Sequence, residues 1–102
     1  MITVVEKWHI KKQFSGQSLE IMQKMDNLVG PYSHEHEGWC DHAKFYRNSR
    51  DGTRIVMVYP WRDKESHQTL VRHEKTTLRD FISNYCSADH EIDYYHELPV
   101  EV

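Results

Sequence analysis

The first residues after Met1 alternate between apolar and polar side chains, and this spacing of two is typical of a β-strand with one apolar face. One face of the predicted strand carries Ile2, Val4, Glu6, Trp8 and Ile10. The other carries Thr3, Val5, Lys7, His9 and Lys11. Glu6 is the one charged side chain on the apolar face, and it therefore needs an explanation.

From Ser15 to Val29 the spacing changes to that of an amphipathic helix. The apolar stripe consists of Leu19, Met22, Met25 and Val29, widened by Ile21 and Leu28. Ser15 or Ser18 can cap its first turn. Gly30 and Pro31 follow, and they predict that the helix ends or kinks there.

Two β-rich runs then flank Asp51 and Gly52, a dipeptide suited to the positive φ angles of a tight hairpin turn. The second run, from Ile55 to Tyr59, is almost wholly apolar, which predicts a central strand covered on both faces. Pro60 is expected to end that strand.

Asp63 is a predicted N-cap for a second amphipathic helix. Its inward positions recur at three- and four-residue spacing and are His67, Leu70, Val71, Glu74, Leu78, Phe81, Ile82 and Tyr85. Whether this helix is broken near His73 is left open. The tail alternates again from Ile92 to Leu98, which predicts a fourth strand limited by Pro99.

The predicted order β-α-β-β-α-β indicates one α+β domain over residues 1–102 with the ferredoxin-like, split βαβ fold. This fold is a four-stranded antiparallel sheet with both helices on one face. The opposite face, which includes Val5 and Tyr95, is left uncovered. We therefore expect a homodimer in which two sheets pack face to face.

Composition narrows the function further. The 102 residues carry a formal net charge of −3, so no basic surface points to nucleic acid. The sequence has no apolar run of the ~20 residues that cross a bilayer and no signal-peptide pattern. Its two cysteines, Cys40 and Cys86, are expected to be free thiols in a reducing cytoplasm. A small molecule is the expected partner.

The segment HEHEGWCDH, residues 34–42, concentrates metal-binding side chains. A zinc site would use some of His34, His36, Cys40 and His42. Their spacing does not match the paired patterns of zinc sites, and a domain of this size does not need a structural metal. We favour a solvated connection, with histidines at the rim of a pocket as a further alternative.

Three side chains are candidates for moving a proton. Glu6 would cost roughly several kcal/mol if it were buried, charged and unpaired. A raised pKa would suit it to act as a general base, unless Lys7 or an arginine satisfies it. His67 and His73 lie on or near the inner face of the second helix, where an imidazole acts either as a base or as a hydrogen-bonded core residue. Aromatic side chains, among them Trp8, Phe45 and Tyr94, are core residues first and a wall for a planar substrate second.

Three segments resemble the antibiotic-biosynthesis monooxygenase family of the dimeric α/β-barrel superfamily. MITVVEKWHIKK resembles the first strand of the family, and HEGWCDHAKFY resembles its connection into the second strand. RIVMVYPWRDKESHQTLVRHE resembles the segment in which an apolar strand ends at Trp and the second helix begins. The resemblance implies a pocket between the sheet and the two helices. It also implies a cofactor-free monooxygenase acting on an aromatic, often polyketide-like metabolite, although other members isomerise, cyclise or degrade haem.

The haem-degrading branch of the family has an Asn on the first strand, then a Trp and a His in the second helix. The corresponding positions here are Glu6, a residue near Leu70 and a residue near Arg79, which counts against haem, with His73 as the nearest substitute ligand. The sequence contains no nucleotide-binding glycine loop. We therefore expect no cofactor and no metal. The expected base is one of Glu6, His67 and His73, and the expected substrate contacts are Trp8, Phe45, Leu70 and Tyr94. A non-oxidative isomerase or cyclase and a haem-binding protein are the alternatives.

Overall fold

Four antiparallel strands and two long helices make up the computed structural model, which describes residues 1–102. The elements are β1 (Ile2–His9), a short 3-10 helix (Lys12–Phe14), α1 (Ser18–Glu35), β2 (Lys44–Arg47), β3 (Arg54–Trp61), α2 (Lys64–Tyr85) and β4 (Glu91–Tyr95). The strands lie in the order β2-β3-β1-β4. The predicted α+β, ferredoxin-like fold is confirmed.

The alternation along β1 places Glu6 in the middle of the sheet. Ile2, Val4, Glu6 and Trp8 are buried, while the residues between them are half-buried or exposed, as predicted. Antiparallel pairing sets Glu6 opposite Met57 of β3 and Ile92 of β4. The carboxylate therefore projects from a central strand toward the side that the helices cover.

The core lies between the sheet and the two helices. From the helices it receives Ile21, Met22, Met25 and Val29 of α1 and Leu70, Leu78 and Phe81 of α2. Each such side chain contributes about 1.5–3 kcal/mol when it is removed from water. Trp8 and Trp61 are almost fully buried in the same cluster, so the aromatic residues of the sheet act first as core.

The first helix is longer than predicted: of the end or kink expected at Gly30–Pro31, the end was wrong. The helix begins at Ser18, behind an N-cap at Gln17 that makes no side-chain cap, and it continues through Pro31 to Glu35. Proline removes the hydrogen bond to the carbonyl four residues earlier, that of Asn27. Both Asn27 and Pro31 are exposed, so water can reach the side of the helix on which the bond is missing.

The hairpin around Asp51 is confirmed, but its tight two-residue turn is not. Residues 48–53 form a longer connection in which the Asp51 carboxylate accepts from the backbone N–H of Thr53 at 3.0 Å and from its hydroxyl. No glycine has a positive φ. Gly52 instead lies against the Ser15 carbonyl, where a Cβ atom would collide.

The third strand passes through Pro60 and ends at Trp61, so Pro60 does not terminate it. On one side Pro60 pairs with Thr3, and on the other β2 begins only opposite Val58. A proline is tolerated at a strand position where no neighbouring strand needs its N–H. Val56 and Val58 are only half-buried, so the expected cover on both faces is absent in a single chain.

The second helix begins as predicted, because the Asp63 carboxylate accepts from the backbone N–H of Ser66 at 2.8 Å. It continues unbroken past His73. The last strand is shorter than predicted and ends at Tyr95, so Leu98 and Pro99 belong to an exposed tail. No helix is both long and apolar enough to span a membrane.

Gly38, in the connection between α1 and β2, offers a test of this packing. A Cβ atom there would overlap the Trp61 indole nitrogen and the Ser66 hydroxyl, which hydrogen-bond to each other at 3.1 Å. We expect Gly38→Ala to lower the free energy of unfolding by about 1–3 kcal/mol in urea denaturation. Gly16→Ala is the control, since nothing lies within 4 Å of its Cβ position. Equal stabilities for the two variants would contradict this packing.

Candidate active site

The buried carboxylate of Glu6 is the centre of the candidate site. Glu6 is only 7% exposed. The Trp8 indole N–H donates to Glu6 Oε1 at 3.2 Å, and the Tyr59 hydroxyl donates to Oε2. His90 Nε2 lies 3.8 Å from Oε1, with its ring stacked on Trp8. Burial raises the pKa of the Glu6 carboxyl, while His90 and the two donors act in the opposite direction.

Behind Glu6 a chain of hydrogen bonds runs through Tyr59 and His67 to Tyr94. The Tyr59 oxygen lies 2.5 Å from His67 Nε2, and His67 Nδ1 lies 2.8 Å from the Tyr94 oxygen. Burial, followed by the charges of His36 and His90, lowers the pKa of His67 to about 4. The imidazole is therefore neutral at pH 7 and has one N–H to donate.

The donor roles in this chain follow from counting protons. Because Tyr59 donates its only hydrogen to Glu6, its oxygen must accept from His67 Nε2. His67 Nδ1 then carries no hydrogen and accepts from Tyr94. Every donor in the chain points toward Glu6, an arrangement that stabilises the ionised carboxylate. Burial and the charge of Glu6 raise the pKa of Tyr59 well above its ordinary value, so its hydroxyl remains a donor.

Two cavities meet at Glu6. The inner cavity, about 120 Å³, lies between the sheet and both helices, where the resemblance placed the pocket. The outer cavity, about 530 Å³, lies between α2 and the β4 side of the sheet. Its apolar lining comes from Val71, Leu78, Ile82 and Ile92. Glu6 and Glu74 line both cavities, and no other residue does.

Glu74, on α2, is the second carboxyl group of the site. It is half-buried and makes no side-chain hydrogen bond or ion pair. Burial, followed by the negative charge of Glu6, raises the pKa of Glu74 to about 8. Its neutral form therefore predominates at pH 7, where it is a hydrogen-bond donor.

The structure brings two of the three predicted bases together. Glu6 and His67 are joined through Tyr59. The placement of His73 on the inner face was wrong, because its side chain is exposed and lines neither cavity. Successive residues on a helix are about 100° apart. Since the inward stripe of α2 includes Glu74, His73 points about a quarter turn away from it.

The predicted substrate contacts divide in the same way. Trp8, Phe45 and Leu70 line the inner cavity. Tyr94 lines neither cavity and instead hydrogen-bonds to His67. Sequence reasoning did not assign a role to Tyr59 or Glu74. The available signals were the place of Tyr59 in the apolar run of β3 and that of Glu74 on the inward stripe of α2.

The segment HEHEGWCDH forms part of the inner cavity rather than a metal-ligand group. His34 and His42 pack edge-on against Trp39 and line this cavity with it. His36 Nδ1 accepts from the backbone N–H of Gly38 at 3.0 Å. No three His, Cys, Asp or Glu side chains are placed together as a metal site would require. The favoured solvated connection agrees with the exposed side chains of His34, Cys40 and His42, and the structure also supports the alternative of histidines at the pocket rim.

Comparisons with known proteins identify the fold. No protein-family model matches the sequence, and no curated protein matches it. Among solved structures, an antibiotic biosynthesis monooxygenase from Bordetella bronchiseptica aligns at a TM-score of 0.74 and 10% identity, over 95% of this chain and 96% of that one. One from Nitrosomonas europaea aligns at 0.68 and 14%, over 96% and 99%.

A monooxygenase from Streptomyces coelicolor in complex with nanaomycin D aligns at a TM-score of 0.73 and 13% identity, over 99% of this chain and 90% of that one. At such identities the likeness establishes a shared fold. The resemblance drawn from the sequence is therefore confirmed at the level of the fold.

The neutral state of His67 predicts how stability depends on pH. Between pH 6 and pH 5 the unfolded chain binds a proton at this imidazole, whose ordinary pKa is 6.5, and the folded protein, with a pKa of about 4, does not. Folding stability therefore falls as the pH is lowered. We expect the wild type to lose about 1 kcal/mol more than His67→Gln over this interval in denaturant titrations. His73→Gln, an exposed change on the same helix, should keep the wild-type slope. Identical slopes for the wild type and His67→Gln would contradict a neutral His67.

Proposed function

We propose that this protein is a small-molecule enzyme, a cofactor-independent monooxygenase that acts on an aromatic or polyketide-like metabolite. The proposal starts from the fold it shares with structures named antibiotic biosynthesis monooxygenase. One of them, the Streptomyces coelicolor enzyme, holds nanaomycin D. The observation that carries the proposal is the buried Glu6 carboxylate, which stands where two cavities meet.

Glu6 is the proposed general base. A carboxylate whose pKa is raised by burial is a stronger base than one in water. Apolar walls around it also limit the access of water, which would compete with the substrate for the carboxylate. Trp8 and Tyr59 hold its two oxygen atoms through hydrogen bonds, so its position is fixed before a substrate binds. His67 supports Tyr59 from behind and acts as a positioning residue.

The proposed reaction needs no external reductant. Glu6 removes a proton from an acidic C–H or O–H group, and the resulting anion reduces dioxygen. For a methylene group the balance is one CH₂ and one O₂ giving one C=O and one H₂O. All four electrons come from the substrate. This balance is the chemical reason for proposing that no cofactor takes part.

The outer cavity is the proposed substrate site. Ligand pockets usually measure about 300–1,000 Å³, and the outer cavity, at about 530 Å³, falls in that range whereas the inner one, at about 120 Å³, does not. The apolar wall of the outer cavity, from Val71, Leu78, Ile82 and Ile92, suits a planar hydrocarbon frame, and its other lining residues are polar or charged. The inner cavity, with Trp8, Phe45 and Leu70, is large enough for dioxygen or water.

Haem is a poorer match to these side chains. His73, the nearest substitute ligand by sequence, is exposed and lines neither cavity. Both ring nitrogens of His67 are occupied by tyrosine hydroxyls. His90 is stacked on Trp8 and lies beside Glu6. His34 and His42 do line the inner cavity, but that cavity, at about 120 Å³, is smaller than the ~300–1,000 Å³ usual for ligand pockets.

We also propose that the protein is a cytoplasmic homodimer. Cys40 and Cys86 are free thiols, as a reducing compartment allows. The sheet face opposite the helices carries Val5 paired with Val58, with the half-exposed Tyr46 and Tyr95 nearby. A second copy placed on this face would cover an apolar surface that a single chain leaves in water.

Oxygen uptake tests the proposed activity. Anthrone serves as the probe because its methylene group is acidic and its oxidation product absorbs visible light. We expect the purified protein to consume dioxygen and to form the quinone in equal amounts. Glu6→Gln should reduce the rate by about 10²–10⁴-fold, the usual contribution of a general base. Glu65→Gln, an exposed change in the first turn of α2, is the control.

Two outcomes would decide against the proposal. Full activity in Glu6→Gln would show that Glu6 is not the general base. Turnover of the probe without oxygen uptake would point instead to an isomerase or cyclase that uses the same carboxylate.

Sedimentation tests the dimer. The molar mass of the wild type from sedimentation equilibrium should be twice that of one 12.3 kDa chain. Val58→Glu would place a charge at the centre of the sheet face and should give folded monomer. Leu19→Glu, on an exposed position of α1, should leave the dimer intact. A monomeric wild type would contradict the assembly.

A further inference from the structure

We propose that Glu74 is the second catalytic group of the site and donates a proton to a substrate oxygen atom while Glu6 removes one from carbon. This inference rests on the proposed function only in its choice of Glu6 as the base. It assigns the substrate to a class, ketones that carry an acidic C–H bond next to, or conjugated with, the carbonyl group.

The first observation is position. Glu6 comes from the central strand β1 and Glu74 from α2, and these are the two residues common to the inner and outer cavities. A molecule in the outer cavity that reaches toward the inner one meets both carboxyl groups. A carbonyl oxygen and an acidic C–H carbon are two bonds apart when they are neighbours, and four bonds apart across one ring when they are conjugated as in anthrone. In both cases a single ketone can address two carboxyl groups at once.

The second observation is the difference in their partners. Glu6 accepts hydrogen bonds from Trp8 and Tyr59 and has His90 beside it, all of which favour its ionised form. Glu74 receives no donor and forms no ion pair. Two carboxyl groups close together do not ionise with equal ease, and the one that is better supplied with donors ionises first. The contacts alone therefore make Glu6 the base and Glu74 the acid.

The charges around Glu74 agree with that division. Burial and then the charge of Glu6 raise the pKa of Glu74 to about 8. The outer cavity around Glu74 also presents the titratable and charged groups of Glu6, Lys75, Arg79, Asp89 and His90, of which Lys75 and Arg79 lie on α2 itself. Across the inner cavity Glu74 faces those of Asp26, His34, Asp41, His42 and Tyr59. Burial is the larger cause of the raised pKa and the charge of Glu6 the second, so an ionised Glu6 adds to the preference of Glu74 for its protonated form.

The step is enolisation, and its atoms balance. The C–H bond breaks, its proton goes to Glu6, and its electron pair becomes the carbon–carbon double bond of the enol. The π pair of the carbonyl bond moves to its oxygen, which forms a new O–H bond with the proton of Glu74 as the O–H bond of Glu74 breaks. Glu6 ends neutral and Glu74 ends as a carboxylate, so before the next cycle Glu6 releases one proton to water and Glu74 takes one up. No oxidant enters this step.

The test follows enolisation without oxygen. Anthrone is incubated with the protein anaerobically in D₂O, and loss of its methylene signal is followed by proton NMR. We expect the wild type to accelerate exchange above the buffer rate, with activity lost as the pH rises through about 8 because Glu74 then loses its proton. Glu74→Gln should exchange about 100-fold more slowly, and its residual rate should lack this alkaline decline. Glu65→Gln should keep both the rate and the decline.

The outcomes separate this inference from the proposed function. Exchange at the wild-type rate and with the wild-type pH profile in Glu74→Gln would overturn the role of Glu74, even if oxygen uptake still requires Glu6. Catalysed exchange that requires both carboxyl groups, without oxygen uptake, would support the role of Glu74 as the acid. It would contradict the proposed monooxygenase activity. No catalysed exchange by the wild type would overturn the inference.

Discussion

The structure depends on how one carboxylate is kept in an apolar interior. A buried, unpaired charge is destabilising by roughly several kcal/mol, and Glu6 avoids this by collecting donors from its surroundings. Trp8 lies on the same strand, Tyr59 on the neighbouring one and His90 just before the last strand. His67 of α2 then holds Tyr59, and Tyr94 holds His67. One polar chain thus connects three hydrogen-bonded strands to a helix that packs on them through apolar side chains.

Most of the fold follows from the sequence because its signals are local. Spacings of two and of three to four residues gave β1 and α2 correctly, and Asp63 caps α2 as expected. Proline misled twice, at Pro31 and at Pro60. The effect of a missing N–H depends on the carbonyl that would have accepted it. At Pro31 the Asn27 carbonyl is left to water on an exposed side of α1, and at Pro60 no residue of β2 lies opposite. Neither circumstance can be read from the local sequence.

The site was predictable only in part, for a related reason. A glutamate on an apolar strand face is conspicuous by itself, so Glu6 could be found, and His67 shares the inward stripe of α2. The importance of Tyr59 arises from the pairing of β1 with β3, two strands that are far apart in sequence. Tyr59 lies opposite Val4 and is therefore a diagonal neighbour of Glu6. His73 was misplaced because it follows His67 and Leu70 at three-residue spacing. Each such step falls about 60° short of a full helical turn, so His73 no longer faces the core. Glu74 became visible only once the two cavities were known.

The hydroxyl of Tyr59 lies between the Glu6 carboxylate and His67 Nε2, and it has a single hydrogen atom to donate. When Glu6 is protonated and donates to the Tyr59 oxygen, the Tyr59 hydroxyl must donate to His67 Nε2 instead. His67 must then carry its hydrogen on Nδ1. The Tyr94 hydroxyl would then accept a hydrogen bond from Nδ1 instead of donating one. The tautomer of His67 therefore reports, from inside the protein, whether the carboxylate at the far end is charged.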